Sequence, residues 1–300
     1  MKLLRRTFIM TKKQHRSSEL IWMGEENPRL GYKIYLKVKK ILCKETSDFN
    51  PLIYVIETEN FGKVLLLGTE KELTIQYSEE WDFYDEMLAH VPMCAHGSPK
   101  NVLIIGGGDG GVLKEVLKYP TVEKVDLVEI DEKVVQVSKK YLRHGYVFDN
   151  EKVNIHYKDG AEFLEKTNNT YDVIIGDYTD PYEGLPASTL TTEAFYKNLY
   201  KRLEDNGITT IQSGSPILQK EIFQKIYKNA TKVFNKTNVY VVPVPIYPGG
   251  LWTFLALSKK LDSKKPNCVP PETRYYTIRI HEASFILPKF VEELISKNFN

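Results

Sequence analysis

Residues 102–117 read VLIIGGGDGGVLKEVL: a short apolar run, a glycine-rich turn and the start of an amphipathic segment. Gly106, Gly108 and Gly111 match the pattern G-x-G-x-x-G, in which the missing side chains let a ligand approach the backbone where a helix begins. A tight strand-to-helix turn without any ligand is the alternative interpretation. The position between an apolar run and a helical one favours a nucleotide- or nucleoside-binding α/β domain.

Asp109 lies inside this turn and narrows the class of ligand. A carboxylate would repel a dinucleotide pyrophosphate, which is bound by bare N–H groups and positive potential. It would instead attract an ammonium or a sulfonium group. The turn therefore predicts a ligand of the S-adenosylmethionine type.

After the turn, apolar runs alternate with amphipathic segments, which predicts a mostly parallel sheet covered by helices on both faces. Two further strand-like runs, 239–244 and 252–257, flank Tyr247-Pro248-Gly249-Gly250 and predict a terminal antiparallel hairpin. The predicted strands are 102–105, 125–130, 153–157, 173–175 and 208–211, and the predicted helices are 112–119, 132–142, 192–203 and 217–234.

Before the turn, residues 31–67 alternate apolar and polar side chains, which predicts a small antiparallel β unit. Helical spacing then predicts a helix over 81–91 that ends before Pro92. We therefore divide the chain into an N-terminal β domain, residues 1–80, and a Rossmann-like domain, residues 81–300.

Composition excludes several function classes. The 300 residues include 41 Lys and Arg against 39 Asp and Glu. The resulting net charge of +2 gives no overall positive potential that would attract nucleic acid or an anionic membrane. No apolar run approaches the roughly 20 residues of a membrane span, and Met1–Arg16 lacks the features of a signal peptide. Cys43, Cys94 and Cys268 lie far apart without C-x-x-C spacing, so we expect no zinc site, no disulfide framework and a cytoplasmic protein.

Acidic residues follow the predicted strands. Glu129 lies about 20 residues beyond the glycines, where an acid can bind both ribose hydroxyls, whereas Asp131 suits the N-cap of the next helix. Asp159-Gly160 lies where an adenine amino group would be bound in this architecture, although it could be only a turn.

Asp177 and Asp180 follow the fourth predicted strand. A free amine has a pKa of about 10, so it must lose a proton before it attacks carbon. Paired carboxylates could attract the amine, orient it and accept its proton, although acids at strand ends can also serve only as turn formers. The residues 181–190 that follow could close over the site as a lid.

These segments together resemble the spermidine synthase family of aminopropyltransferases, from about residue 20 to about residue 294. The stretches that carry the resemblance are VLIIGGGDGGVLKEVL at 102–117, VEID at 128–131, SKKYL at 138–142, DG at 159–160, YDVIIGDYTDP at 171–181, YPGGLW at 247–252 and HEASFILPKF at 281–290.

The resemblance implies a methyltransferase-type domain after a small β domain, a homodimer or homotetramer, and transfer of the aminopropyl group of decarboxylated S-adenosylmethionine to an amine. Putrescine is the expected acceptor, giving spermidine and methylthioadenosine. Asp177 would act as the base. The implied donor contacts are Gly106, Gly108, Asp109, Glu129, Asp159, Gly160, Gln76 and Tyr84, and the implied acceptor contacts are Asp180, Tyr247 and Gln212. Direct displacement at a sulfonium needs no metal or cofactor, so none is expected.

Two departures from the family pattern widen the range of functions that fit the sequence. Residues 67–87 align only with gaps, and Asp85 stands where the family usually has His or Gln. Residues 212–215 read QSGS and lack the acid of the family's Q-x-E-S, which together with DPYEG at 180–184 resembles thermospermine-type members. An S-adenosylmethionine-dependent methyltransferase and a non-catalytic relative that binds a nucleoside or polyamine also stay open as interpretations.

Overall fold

The computed structural model describes residues 20–28, 30–69 and 73–296. The interpretation of Met1–Arg16 therefore concerns residues outside the described ones. Within the described ranges, no helix combines the length and the apolar character needed to cross a bilayer.

The N-terminal part is one antiparallel sheet of five strands in sequential order. This confirms the predicted β unit, and the sheet ends shortly before residue 80. Its strands are β1 (Ile21–Asn27), β2 (Tyr32–Glu45), β3 (Leu52–Thr58), β4 (Lys63–Gly68) and β5 (Leu73–Ser78).

The second sheet has seven strands in the order β11-β12-β10-β9-β6-β7-β8. Strands β10, β9, β6, β7 and β8 pair in parallel, and β12 is antiparallel to both β10 and β11. The Rossmann-like sheet with a terminal hairpin is thus confirmed. The strands are β6 (Asn101–Gly106), β7 (Lys124–Glu129), β8 (Val153–Tyr157), β9 (Tyr171–Asp177), β10 (Leu203–Gln212), β11 (Lys236–Pro243) and β12 (Leu251–Ser258).

Eight α-helices are present among the described residues. Sequence periodicity predicted five of them within a few residues, and it did not predict α4, α7 and α8. The helices are α1 (Phe83–His96), α2 (Gly111–Val116), α3 (Glu132–Tyr141), α4 (Gly160–Lys166), α5 (Glu193–Arg202), α6 (Lys220–Thr231), α7 (Ile278–Ser284) and α8 (Lys289–Ser296).

Helix α1 continues through Pro92, so its predicted end was wrong. A proline inside a helix lacks the N–H that would bond to the carbonyl four residues earlier, here that of Leu88. The hydroxyl of Thr210 on β10 donates to this carbonyl at 2.8 Å. A side chain from the adjacent sheet therefore replaces the missing helical hydrogen bond.

The structure also corrects the expectation for the cysteines. Cys94 on α1 and Cys268 after β12 form a disulfide across 174 residues of sequence, while Cys43 is free and buried. The chain returns to α1 because Asn267 donates its backbone N–H to the Cys94 carbonyl at 2.7 Å. Sequence spacing could not show this approach. The cytoplasmic location stays a prediction.

Helix α1 also holds the segment that precedes α7. Glu86 is 2% exposed, and its carboxylate accepts backbone N–H bonds from Arg274 at 2.7 Å, Tyr275 at 2.8 Å and Tyr276 at 2.7 Å. A buried carboxylate that satisfies successive backbone donors ties the segment to the helix.

We expect Glu86→Gln to lower the free energy of unfolding by about 1–3 kcal/mol, because an amide N–H₂ would replace an acceptor that faces backbone donors. Urea unfolding monitored by circular dichroism measures the change. The matched control is Glu282→Gln on α7, an exposed position at which we expect a change within about 0.5 kcal/mol. Equal losses in the two variants would contradict the assigned role of Glu86.

Candidate functional site

A cavity of ≈ 270 Å³ lies at the carboxyl ends of the parallel strands. This is the edge at which open α/β sheets bind their ligands. Gly106, Glu129, Asp177 and Gln212 line it from the ends of β6, β7, β9 and β10, and Gln76 of β5 lines it from the N-terminal sheet. The structure thus brings the residues predicted on separate strands into one cavity between two sheets.

The glycine turn packs directly against its neighbours. Gly106 has φ +83°, and a Cβ there would lie 2.1 Å from the carbonyl oxygen of Asp177. The next residue, Gly107, donates its N–H to the same carbonyl at 2.8 Å. A Cβ on Gly108 would lie 2.9 Å from Oε2 of Glu129. The glycines therefore allow the acidic ends of two strands to lie beside the turn.

Asp177 carries the feature expected of a base. Tyr84 of α1 donates its hydroxyl to Oδ1 at 2.9 Å, while the buried Oδ2 has no hydrogen-bond partner among the described residues. Burial, with the nearby negative charges of Asp109 and Glu129, raises the pKa of Asp177 well above its ordinary value. A carboxylate with a raised pKa and an unpartnered oxygen is suited to receive a proton.

Asp109 extends from the turn toward Asp177. Its Oδ1 accepts the N–H of Gly111 at 2.7 Å, and burial raises its pKa. Nε2 of His144 lies 2.8 Å from the Asp109 carbonyl oxygen. Because a carbonyl can only accept, we assign the proton to Nε2, which leaves Nδ1 to accept the hydroxyl of Tyr77. This histidine is neutral in that arrangement, and burial lowers its pKa.

Asp85 adds a third carboxylate to this corner, and sequence spacing had marked it only as a departure from the family pattern. Its side chain is 4% exposed, and one oxygen each of Asp85, Asp109 and Asp177 lie within 4.8 Å of one another. Burial, with the charges of the other two acids, raises its pKa well above the ordinary value. The cluster is compact enough to hold one cation.

Glu129 is placed as predicted, at the end of β7. Its Oε1 accepts the N–H of Asp131 at 2.9 Å, and burial raises its pKa to about 7. Asp131 caps α3 by accepting the N–H of Lys133 at 3.0 Å, and it also accepts Nδ2 of Asn50 at 2.7 Å. The two neighbouring acids therefore have different environments.

Asp159 and Gly160 lie at the start of α4 and line the cavity. Oδ1 of Asp159 accepts the N–H of Glu162 at 2.9 Å, so this side chain is an N-cap. A Cβ on Gly160 would lie 2.4 Å from Cγ2 of Ile105, which explains the glycine by packing. The predicted adenine contact stays a prediction.

An aromatic wall separates the carboxylate corner from the other end of the cavity. The Tyr247 ring lies 5.5 Å from that of Tyr84 and 5.0 Å from that of Trp252, measured between ring centroids. Its hydroxyl donates to the backbone carbonyl of Gln76, and the side-chain amide of Gln76 donates to Thr74 at 2.6 Å. Tyr247 thus joins the two sheets across the cavity.

Gln212 has an amide that is already engaged. Its Nε2 donates to the Tyr178 carbonyl at 3.0 Å, and its oxygen accepts from Gly214 at 3.1 Å and from Nε1 of Trp252 at 3.2 Å. These bonds hold the cavity wall in shape. Acceptor contact by Gln212 stays a prediction.

The far end of the cavity holds an acid that no sequence pattern indicated. Glu25 of β1 is 5% exposed and accepts the N–H of Ile75 at 3.0 Å and the hydroxyl of Tyr32. Asp180 lines the same cavity, and burial, together with the charges of Glu25 and Asp180, raises the pKa of the Tyr32 hydroxyl. Asp180 also accepts Nε2 of Gln219 at 2.5 Å. Glu25 lies before residues 31–67, for which strands were predicted, and its place in the cavity depends on how the two sheets pack.

Comparisons with known proteins agree with this arrangement. The family model described as the spermine/spermidine synthase domain matches residues 81–266, and the one described as the spermidine synthase tetramerisation domain matches residues 21–74. A polyamine aminopropyltransferase of Thermoanaerobacter sp. (strain X514) is 41% identical over 282 residues, which cover 92% of this chain and 99% of that protein. The polyamine aminopropyltransferase of Bacillus subtilis (strain 168) is 40% identical over 280 residues, with 92% and 99% covered.

Two solved structures are similar over nearly their whole length. A spermidine synthase in complex with the transition-state analogue AdoDATO has a TM-score of 0.86 and 34% identity, covering 96% of this chain and 99% of that one. Spermidine synthase from Thermotoga maritima has a TM-score of 0.84 and 34% identity, covering 97% and 100%.

The environment of Glu129 predicts a pH dependence of nucleoside binding. In the role predicted from the sequence, Glu129 accepts from both ribose hydroxyls; the ionised carboxylate is the stronger acceptor, and the pKa of about 7 means that this form is progressively lost below that pH. We expect the affinity for methylthioadenosine to fall by up to about tenfold per pH unit below this pKa. Calorimetric titrations between pH 5.5 and 8 measure it in the wild type, in Glu129→Gln and in the exposed control Glu132→Gln. A wild-type pH profile that persists in Glu129→Gln would contradict the assignment.

Proposed function

The chain belongs to the spermine/spermidine synthase family of polyamine aminopropyltransferases, and from this premise we propose that it transfers the aminopropyl group of decarboxylated S-adenosylmethionine to putrescine. The products are spermidine and methylthioadenosine. The observation that carries the proposal is Oδ2 of Asp177, a residue that lines the cavity: this oxygen has no hydrogen-bond partner among the described residues, while Oδ1 accepts the Tyr84 hydroxyl.

The donor lies along the carboxyl edge of the second sheet in this proposal. Glu129 binds the ribose, and the start of α4 with Asp159 and Gly160 faces the adenine. Gly106 and Gly108 bring the backbone close to the ligand, and Asp109 binds the amino end of the donor. Tyr84 and Gln76 close the site from α1 and β5.

The chemistry follows from the charge of the substrates. The acceptor enters as an ammonium, and Asp177 receives its proton because burial raises the pKa of this carboxyl. The freed nitrogen lone pair then forms a bond to the carbon beside the sulfonium. The carbon–sulfur bond breaks with its electron pair passing to sulfur, and methylthioadenosine leaves.

Putrescine suits the other end of the cavity. Its aliphatic chain would lie along the rings of Tyr247 and Trp252, and its second ammonium would face Glu25 and Asp180. Glu25 thereby supplies the far acid that residues 212–215 lack. A longer acceptor remains the second candidate, because QSGS and DPYEG resemble thermospermine-type members.

The carboxylate corner also argues against the methyltransferase alternative. Intact S-adenosylmethionine carries a carboxylate beside its amino group, and this charge would meet Asp109 and Asp177. Like charges brought together in a buried site disfavour the wrong ligand.

We further propose a homotetramer that forms through the N-terminal sheet. The tetramerisation-domain model matches residues 21–74. That sheet exposes large apolar side chains on β1 and β2, with 54% of Trp22, 46% of Ile21 and 46% of Tyr35 accessible. Exposed apolar side chains grouped on one element are typical of an interface.

We expect methylthioadenosine release from decarboxylated S-adenosylmethionine to be fastest with putrescine in a panel that includes cadaverine, agmatine and spermidine. Asp177→Asn should lower kcat by about 10²–10⁴-fold, because the positioned base is lost. The matched control is Asp149→Asn, an exposed acid outside the cavity, which should retain wild-type kcat.

Chromatographic quantification of methylthioadenosine measures both results. A preference for spermidine over putrescine would assign the chain to the longer-acceptor class. Methyl transfer from intact S-adenosylmethionine, without release from the decarboxylated donor, would overturn the proposed function.

A further inference from the structure

Asp109 is flanked by residues without side chains. Five of the six residues at 106–111 are glycine, and Asp109 is the exception. Gly110, which follows it, has φ +83°, in a region where glycine changes conformation at little cost. The peptide between Asp109 and Gly110 can therefore rotate unless another group holds its carbonyl. Such a rotation would also redirect the Asp109 carboxylate, because it would move Gly111, whose N–H is bound to Oδ1 at 2.7 Å.

His144 is the residue that holds this carbonyl. It lies between α3 and the 3₁₀ helix Gly145–Asp149 and is 4% exposed. Its Nε2–H donates to the Asp109 carbonyl at 2.8 Å. A Cβ on Gly110 would lie 3.4 Å from Cδ2 of His144. The imidazole therefore contacts the turn both through a hydrogen bond and through its ring edge.

Tyr77 of β5 keeps His144 in the tautomer that this bond needs. The Tyr77 hydroxyl lies 3.2 Å from Nδ1, and the two rings meet edge to face with their centroids 5.0 Å apart. A hydroxyl that donates to Nδ1 leaves the imidazole proton on Nε2. Without this hydroxyl the proton can move to Nδ1, and a lone pair on Nε2 would then face the Asp109 carbonyl.

The backbone just before His144 is also bound to the N-terminal part of the chain. Lys63 of β4 donates its ammonium to the Tyr141 carbonyl at 2.6 Å. Glu79, which follows β5, accepts the backbone N–H of Arg143 through Oε1 at 2.6 Å. The position of the His144 ring is therefore set by the N-terminal sheet as well as by the second sheet.

We propose that His144 is a positioning residue for donor binding: it fixes the Asp109 carbonyl, and thereby the direction of the Asp109 carboxylate, while Tyr77 sets the His144 tautomer. This inference rests on the proposed function, in which Asp109 binds the amino end of the donor. Neither Tyr77 nor His144 is among the described residues that line the cavity, although Gln76, the neighbour of Tyr77 on β5, lines it. The N-terminal sheet thus acts on the donor site through two side chains outside the cavity.

The first test removes the hydrogen bond and keeps a ring of similar shape. Calorimetric titration without acceptor measures the dissociation constants of decarboxylated S-adenosylmethionine and of methylthioadenosine, which lacks the amino end. His144→Phe is expected to weaken binding of the first by about 5- to 30-fold, because a buried carbonyl loses its donor, and binding of the second by less than about threefold. His144→Gln, whose amide N–H can replace Nε2–H, should restore donor binding to within about threefold of wild type. Tyr146→Phe, on the same 3₁₀ helix and 72% exposed, is the matched control and should change neither constant.

The second test measures the coupling between the two side chains. Tyr77→Phe is expected to weaken donor binding by about 2- to 10-fold and to convert part of His144 to the Nδ1–H tautomer. Nitrogen–proton correlation spectra of protein with labelled histidine report the tautomer, which should be Nε2–H in the wild type. Because both side chains act through one carbonyl, the double variant Tyr77→Phe/His144→Phe should bind the donor within about twofold of His144→Phe alone.

The outcomes separate this inference from the proposed function. Equal weakening of both ligands by His144→Phe, additive losses in the double variant, or an Nδ1–H tautomer in the wild type would each overturn the role of His144. So would a loss that accompanies a lower unfolding temperature and is not restored by His144→Gln, because the contact would then be only structural. A wild-type protein with the Nε2–H tautomer that neither binds decarboxylated S-adenosylmethionine nor transfers an aminopropyl group to any amine would instead refute the proposed function.

Discussion

The contact of the glycine turn with the end of β9 is the constraint on which the site depends. Gly107 donates to the Asp177 carbonyl at 2.8 Å, and Gly106 leaves no room there for a side chain. This backbone contact fixes Asp177 beside Asp109 without using either carboxylate. Asp109 and Asp177 each accept one bond through Oδ1, from Gly111 and from Tyr84 respectively. Oδ2 of Asp177 therefore remains available for a ligand, and a close contact at Gly111 places Asp85 beside the same turn.

Such a cluster costs stability in the empty protein. Burial raises the pKa of Asp85, Asp177 and Glu129. Because the unfolded chain then releases these protons at a lower pH than the folded protein does, the free energy of unfolding falls as pH rises through the pKa of the unfolded state. A cationic ligand would offset this cost because it favours the ionised forms. Without a ligand the protonated carboxyl groups are favoured, whereas a bound ammonium favours the ionised carboxylates. The charge of a bound ligand therefore affects the free energy of unfolding.

Much of the fold follows from local sequence. Apolar runs separated by amphipathic segments predict the parallel strands, and Glu129 and Asp177 are found from their places at strand ends. Elements that depend on distant contacts could not be found this way. Thr210 donates to the carbonyl of Leu88, 122 residues earlier, which lets α1 continue through Pro92, and Cys268 meets Cys94 across 174 residues. No periodicity within α1 records either partner.

The site residues that sequence patterns did not indicate also depend on contacts between distant parts of the chain. Glu25 belongs to β1, where a buried acid is uncommon, and it enters the cavity only because the N-terminal sheet packs over the carboxyl edge of the second sheet. Tyr247 and Asn50 help to hold that packing, through bonds to Gln76 and Asp131. The distance between Asp177 and the far acids is therefore set by the contact between sheets. In the proposed function one sheet carries the base, Asp177, and the other carries Glu25, so the acceptor length would depend on the relative placement of the two sheets more than on any one motif.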